Sequence, residues 1–226
     1  MTEDARPSGG TPGPQDDADE LLDVLDEAGR PTGHTKPRAA VHRDGDWHRA
    51  FHLWIVDGDD HVLLQRRSPH KDLAGGKLDV TVGGHLRAGE YWPNALREVE
   101  EELGLRVEVR DIDALGTFRE ERVYQRAVDR EFHEVFVMRC AQPLQAYLLN
   151  PREVDALYAV PIPGAMALWR DGRPVFARGW DCQRRPSDAL LHEGDLIEEG
   201  REGTLAALSE VASWAGVDVE AGPAEP

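Results

Sequence analysis

Four glutamates fall within five residues, at Glu98, Glu100, Glu101 and Glu102, downstream of the glycine pair Gly83-Gly84. The apolar residues Ala95, Leu96, Val99 and Leu103 recur at helical spacing, so the segment is expected to be a short helix with one face turned to a core. At about 100° per residue, Glu98, Glu101 and Glu102 share a neighbouring face and Glu100 points elsewhere. Like charges at i and i+4 repel by roughly 0.2–0.5 kcal/mol per pair in a bare helix. A hard divalent cation that takes carboxylate oxygens would offset that repulsion. An acidic run is ordinarily a solvated face, but this one borders the buried stripe. Pro93 suits the first turn, Gly104 suits the C-terminal cap, and the glycine pair lets backbone approach a ligand closely.

The segment resembles the Nudix box. Gly84, Glu90, Arg97-Glu98, Glu101-Glu102 and Gly104, followed by Leu105, match its glycine, glutamate, Arg-Glu, Glu-Glu and closing glycine. One interval departs: Glu90 and Arg97 stand one residue closer than in the usual pattern, which makes Glu90 the least secure member. The resemblance implies that Glu98, Glu101 and Glu102 bind metal, with the Gly83 carbonyl as a backbone ligand and Arg97 orienting the carboxylates. Such a site splits phosphoric anhydrides. Mg²⁺ or Mn²⁺, favoured by oxygen ligands, clamps phosphate oxygens and lowers the pKa of a bound water. The general base is Glu98 or a downstream glutamate among Glu120, Glu121, Glu131 and Glu134. Glu131 and Glu134 lie on a strand expected to cross near the box, but point to opposite faces, so at most one reaches the site. Glu131 is taken as a further metal ligand.

A second resemblance is to isopentenyl-diphosphate isomerase and the Nudix hydrolases nearest to it, carried by Leu63 to Lys71 and by Leu78 to His85. It implies that Arg67 and Lys71 hold a substrate diphosphate, a fork and a point charge suited to two phosphates. The isomerase uses a cysteine where this chain has Gly83, and Cys140 and Cys182 are remote in sequence. The isomerase also lacks the full set of box glutamates. Hydrolysis of a small-molecule diphosphate is therefore the expected reaction. An isomerase-like enzyme and a non-catalytic ligand-sensing module are the alternatives. Trp47, Trp54, Tyr91, Trp92, Tyr124 and Trp180 are candidates to stack on a base.

The elements that must position these residues follow from pattern. Residues 1–19 and 218–226 have little to bury and are expected to be disordered tails. A hairpin is expected over 21–35, a short helix over 37–42, and strands over 47–56, 61–66, 78–82, 107–117, 118–123 and 131–138. A helix start is expected at Asn150-Pro151 running to about Leu157, a hairpin around Asp171-Gly172, and a helix over 204–215. The Nudix resemblance implies an α/β/α sandwich with a mixed sheet over 20–163. Residues 164–217 form an extension packed on that domain, free to cover the site, form a homodimer interface or complete the core. The net charge of −17 disfavours nucleic acid and anionic membranes as partners. The absence of a long apolar run and the two isolated cysteines point to a reducing, cytoplasmic setting.

Overall fold

The computed structural model describes residues 20–71, 73–124 and 127–219. The expected tail at 1–19 lies outside them, as do residues 220–226 of the one expected at 218–226. Strands β1 (Leu21–Leu25) and β2 (Pro31–Pro37) form a hairpin, followed by α1 (Arg38–Asp44), β3 (Trp47–Val56) and β4 (His61–Arg67). The short β5 (Leu78–Asp79) and β6 (Val82–His85) lead into α2 (Trp92–Leu103). A long hairpin of β7 (Asp113–Tyr124) and β8 (Ala127–Arg139) comes next, then β9 (Val154–Pro161) and α3 (Ile162–Asp171). The chain ends in β10 (Val175–Asp181), β11 (Ala189–Leu191) and α4 (Arg201–Ala215).

The sheet is mixed. β3 runs parallel to β8 over its whole length, with His48 opposite Glu131, and antiparallel to β6, with His52 opposite Gly83. β4 pairs antiparallel with β9, which passes the sheet on to β10. The second half of β3, from Leu53 to Val56, is wholly apolar because both of its faces are covered. Phe51, Leu53 and Ile55 pack with Ala95, Val99 and Leu103 of α2. Trp54 and Val56 face the opposite core, with Leu168 and Trp169 of α3 and Leu208 and Val211 of α4. Helices on both faces make the expected α/β/α sandwich. Each such fully buried side chain contributes on the order of 2–3 kcal/mol from area removed from water.

Three expectations fail. The strands expected over 107–117 and 118–123 are one strand, β7, that starts only at Asp113, because Val109–Asp111 form a short 3-10 turn before it. The segment from Asn150 is a turn followed by β9, since Val154 to Leu157 pair with Arg67 to Gln65 instead of coiling. The Asn-Pro signal that suits a helix start also suits a turn, and here Asn150 accepts backbone N–H groups from Glu153 and Val154. The Asp171-Gly172 pair does not turn a hairpin. It ends α3, with Gly172 left-handed at φ 67° and its N–H on the carbonyls of Ala167 and Leu168. Downstream of it, β10 and β11 widen the sheet, and α4 packs on the same core as α3.

Candidate active site

The helix α2 begins after Tyr91, whose N–H donates to the Asn94 side chain, and ends at the left-handed Gly104. Ala95, Val99 and Leu103 anchor it, which turns Glu98 and Glu102 toward the β6 turn and leaves Glu100 outside, paired with Arg106 at 2.8 Å. Gly84 is required where it stands: a Cβ there would lie 2.6 Å from Glu98 Cγ and Cδ. Arg97 Nη2 lies 3.0 Å from Glu98 Oε1, and its Nη1 lies 3.4 Å from Glu90 Oε2. Glu102 is buried and accepts from Gln65 Nε2 at 3.2 Å. Burial pushes Glu98 up to about 7, against the pull of Arg97 and with help from Glu101. Burial and the nearby Glu98 likewise hold Glu102 well above the usual carboxylate range. Crowded carboxylates that resist ionisation are the donor set a hard cation would satisfy.

Glu98, Glu101 and Glu102 line a cavity of about 150 Å³ together with Gly83, Gly84, Arg67 and Lys71. Arg67 Nη1 is 2.8 Å from the buried Asp79, and Lys71 pairs with Glu153. Both basic residues therefore reach the cavity already matched to a carboxylate. Around its whole wall, eight carboxylates face five Arg or Lys side chains. A diphosphate would enter such a cavity against net negative charge unless divalent cations came with it. Of the six aromatic candidates for stacking, Tyr124 alone lines it among the described residues.

A second constellation borders the cavity, whose lining includes His42, His85, Asp129 and Glu131. His42 from the end of α1, His48 from β3, His85 from the end of β6 and Asp129 from β8 each aim a ligand atom into one space, all within 4.8 Å of one another. Glu131 joins them, with Oε1 3.2 Å from His85 Nε2 and 3.6 Å from His48 Nε2. Its other oxygen takes His133 Nε2 at 2.7 Å. His42 Nε2, His48 Nε2 and Asp129 Oδ1 are buried without a hydrogen-bond partner. Burial and the neighbouring His48 depress His42 to about 4, and burial holds His85 well below the ordinary imidazole value. His48 is raised despite burial because Glu131 and Asp129 face it. Burial and Glu131 lift Asp129 to about 6. Three imidazoles and two carboxylates that converge with orphaned lone pairs fit a transition metal, with more nitrogen character than the box.

Of the downstream glutamates, Glu131 lines the cavity and faces the histidines. Glu134 lies on the other face of β8, 3.9 Å from Arg49, and Glu121 is paired with Arg130 at the surface. Glu120 is buried behind the cavity wall, 2.5 Å from Arg122. Sequence reasoning noted His85 without a role and passed over His42, His48 and Asp129. The available signal was the period-two spacing of Asp129, Glu131 and His133 on a strand, facing a histidine-rich strand start.

The NUDIX domain family model matches residues 46–178. Nudix hydrolase 3 of Arabidopsis thaliana is 40% identical over 150 residues, 64% of this chain and 19% of that protein. The chain thus spans about a fifth of that relative's length. An uncharacterized Nudix hydrolase of Clostridium acetobutylicum is 33% identical, covering 79% of this chain and 90% of the relative. An isopentenyl-diphosphate Delta-isomerase of Burkholderia multivorans is 35% identical, covering 77% of this chain and 97% of the relative. Among solved structures, a Deinococcus radiodurans protein superimposes with a TM-score of 0.53 at 23% identity, covering 66% of this chain and 87% of that one.

Proposed function

The chain belongs to the Nudix family, and from that premise we propose that it is a divalent-metal-dependent hydrolase that cleaves the anhydride bond of a small diphosphate. The observation that carries this reading is the single cavity in which Glu98, Glu101 and Glu102 meet Arg67 and Lys71 under a surplus of carboxylates. In the mechanism, Arg67 and Lys71 bind phosphate oxygens and fix the anhydride in place. Arg97 orients Glu98, which has a proton affinity near neutrality and so suits a general base for the attacking water. Mg²⁺ or Mn²⁺ held by the box carboxylates supplies charge neutralisation and an activated water when bound. The histidine and carboxylate cluster is proposed to hold a second metal beside the first. No thiol lines the cavity among the described residues; a Cβ on Gly83 would instead touch the His52 ring at 3.5 Å. That supports hydrolysis over proton transfer at carbon. Both cysteines carry free thiols, which suits the reducing cytoplasm as the proposed setting.

The test is release of phosphate or pyrophosphate from a panel of nucleoside and non-nucleotide diphosphates, with Mg²⁺ or Mn²⁺ and with chelator. Turnover is expected with metal only, and Glu98→Gln is expected to lower kcat about 100-fold or more. Near-normal turnover in that variant, or a shift of a substrate double bond without phosphate release, would overturn the reading. Tight binding of a diphosphate with no turnover would instead identify a sensing module.

A further inference from the structure

The C-terminal extension meets the site at one point. The start of α4 is pressed against Glu120: a Cβ on Gly200 would fall 2.1 Å from Glu120 Oε1 and 2.6 Å from Arg122 Nε, and one on Gly203 would fall 2.7 Å from Glu120 Oε1. Glu120 and Arg122 are both buried, and alternation along β7 puts them on one face. Glu120 Oε2 is 2.5 Å from Arg122 Nη2 and 3.4 Å from His133 Nδ1. These two partners lead to the two halves of the site. Arg122 lines the cavity with Arg67, and His133 Nε2 donates to Glu131 at 2.7 Å, the carboxylate that faces His48 and His85. Glu120 Oε1 has no hydrogen-bond partner of its own and faces the helix start, where the first-turn N–H groups carry partial positive charge.

The helix itself is firmly held. Arg201 donates to the Trp169 carbonyl and pairs with Glu193, and Trp214 Nε1 donates to Asp113 at 2.9 Å. The short 3-10 turn before it (Glu193–Asp195) and Leu196 are tied to β4 and β5 by Arg66–Asp195 at 3.1 Å and by the bridge between Leu78 and Leu196. We propose that the extension is a working part of the active site: the start of α4 seats Glu120, and Glu120 is the positioning residue that holds Arg122 toward the substrate phosphates and His133 toward Glu131. The proposal rests on the diphosphate and metal reading above, for which it names the support.

Two variants test it. Glu120→Gln keeps the shape and removes the charge. Gly203→Ala leaves every cavity residue intact, favours the helix by propensity, and drives a methyl group into the Glu120 carboxylate. Both are titrated calorimetrically with Mn²⁺ alone, then with imidodiphosphate in the presence of Mn²⁺, beside thermal midpoints. Each variant is expected to bind one or both probes at least tenfold more weakly while staying folded at the titration temperature, as its thermal midpoint shows. A folded variant pair with wild-type affinities overturns the proposal, as does a Gly203→Ala protein that melts lower and binds normally; if Glu120→Gln does not fold, Gly203→Ala decides alone. Neither titration needs turnover, so a wild type that hydrolyses no diphosphate defeats only the hydrolase reading. A wild type that binds neither probe defeats both.

Discussion

Removing the charge of Glu98 should stabilise the metal-free protein in a pH-dependent way. Burial raises this carboxyl from the ordinary 4.5 to about 7. At about 1.4 kcal/mol for each tenfold change in proton affinity, the ionised form costs the fold ~3 kcal/mol. Because the folded-state value lies above the unfolded one, the folded protein holds the extra proton between about pH 4.5 and 7. Stability therefore falls as pH rises through that window and the full cost is present above it. Glu98→Gln cannot ionise, yet its amide oxygen can still accept from Arg97 at the 3.0 Å contact. The variant also eases the repulsion that Glu98 exerts on Glu102. Other groups titrate in the same range, with Asp129 shifted up and His42 and His52 shifted down, but they are common to both proteins and cancel in the difference. The assay is urea unfolding of both proteins in chelator at pH 4.5 to 8.5. The variant should gain about 3 kcal/mol over the wild type at pH 8, and the gap should close toward pH 4.5. Added Mg²⁺ should narrow the gap at pH 8 by stabilising the wild type more. Parallel stability curves, or a gap that widens as pH falls, would refute the placement of Glu98 as a desolvated carboxylate.

Three further outcomes follow. Gly84→Ala puts a methyl group 2.6 Å from Glu98, so kcat for diphosphate hydrolysis should fall tenfold or more while circular dichroism stays native. Mn²⁺ at 100 times the Kd of a site should stabilise the wild type by about 2.7 kcal/mol for each site filled, read as a shift in the urea midpoint; a double His48→Ala, Asp129→Asn variant should lose the contribution of the histidine cluster and retain that of the box. Arg67→Lys replaces a planar fork that also binds Asp79, so KM for the diphosphate should rise more than kcat falls; an unchanged KM would remove Arg67 from substrate binding.

Much of one half of the site was legible from sequence. The period of Ala95, Val99 and Leu103 fixes which way α2 faces, and a helix carries Glu98 and Glu102 to one side by geometry alone. Gly84 and Arg97 lie within eighteen residues of those glutamates, so local chain geometry suffices to bring them together. The residues of β3 likewise read as a strand, though not as one covered on both faces. Where two readings share one local signal, sequence chose wrongly. Asp171-Gly172 serves a hairpin or a helix cap equally well, and Asn150-Pro151 serves a helix start or a turn. The choice between them rests on what the following residues pair with, which for Val154 to Leu157 is β4, nearly ninety residues earlier.

By itself, then, the sequence determined an acidic helix beside a glycine turn, the family pattern it matches and the sandwich that supports it. The tertiary structure alone decided the second constellation. His42 and His48 meet Asp129 and Glu131 because β3 lies parallel to β8 in a register that sets His48 opposite Glu131. No period within either strand encodes that register. It is set by the packing of both strands between two cores, and so is the approach of α4 to Glu120 from some eighty residues away.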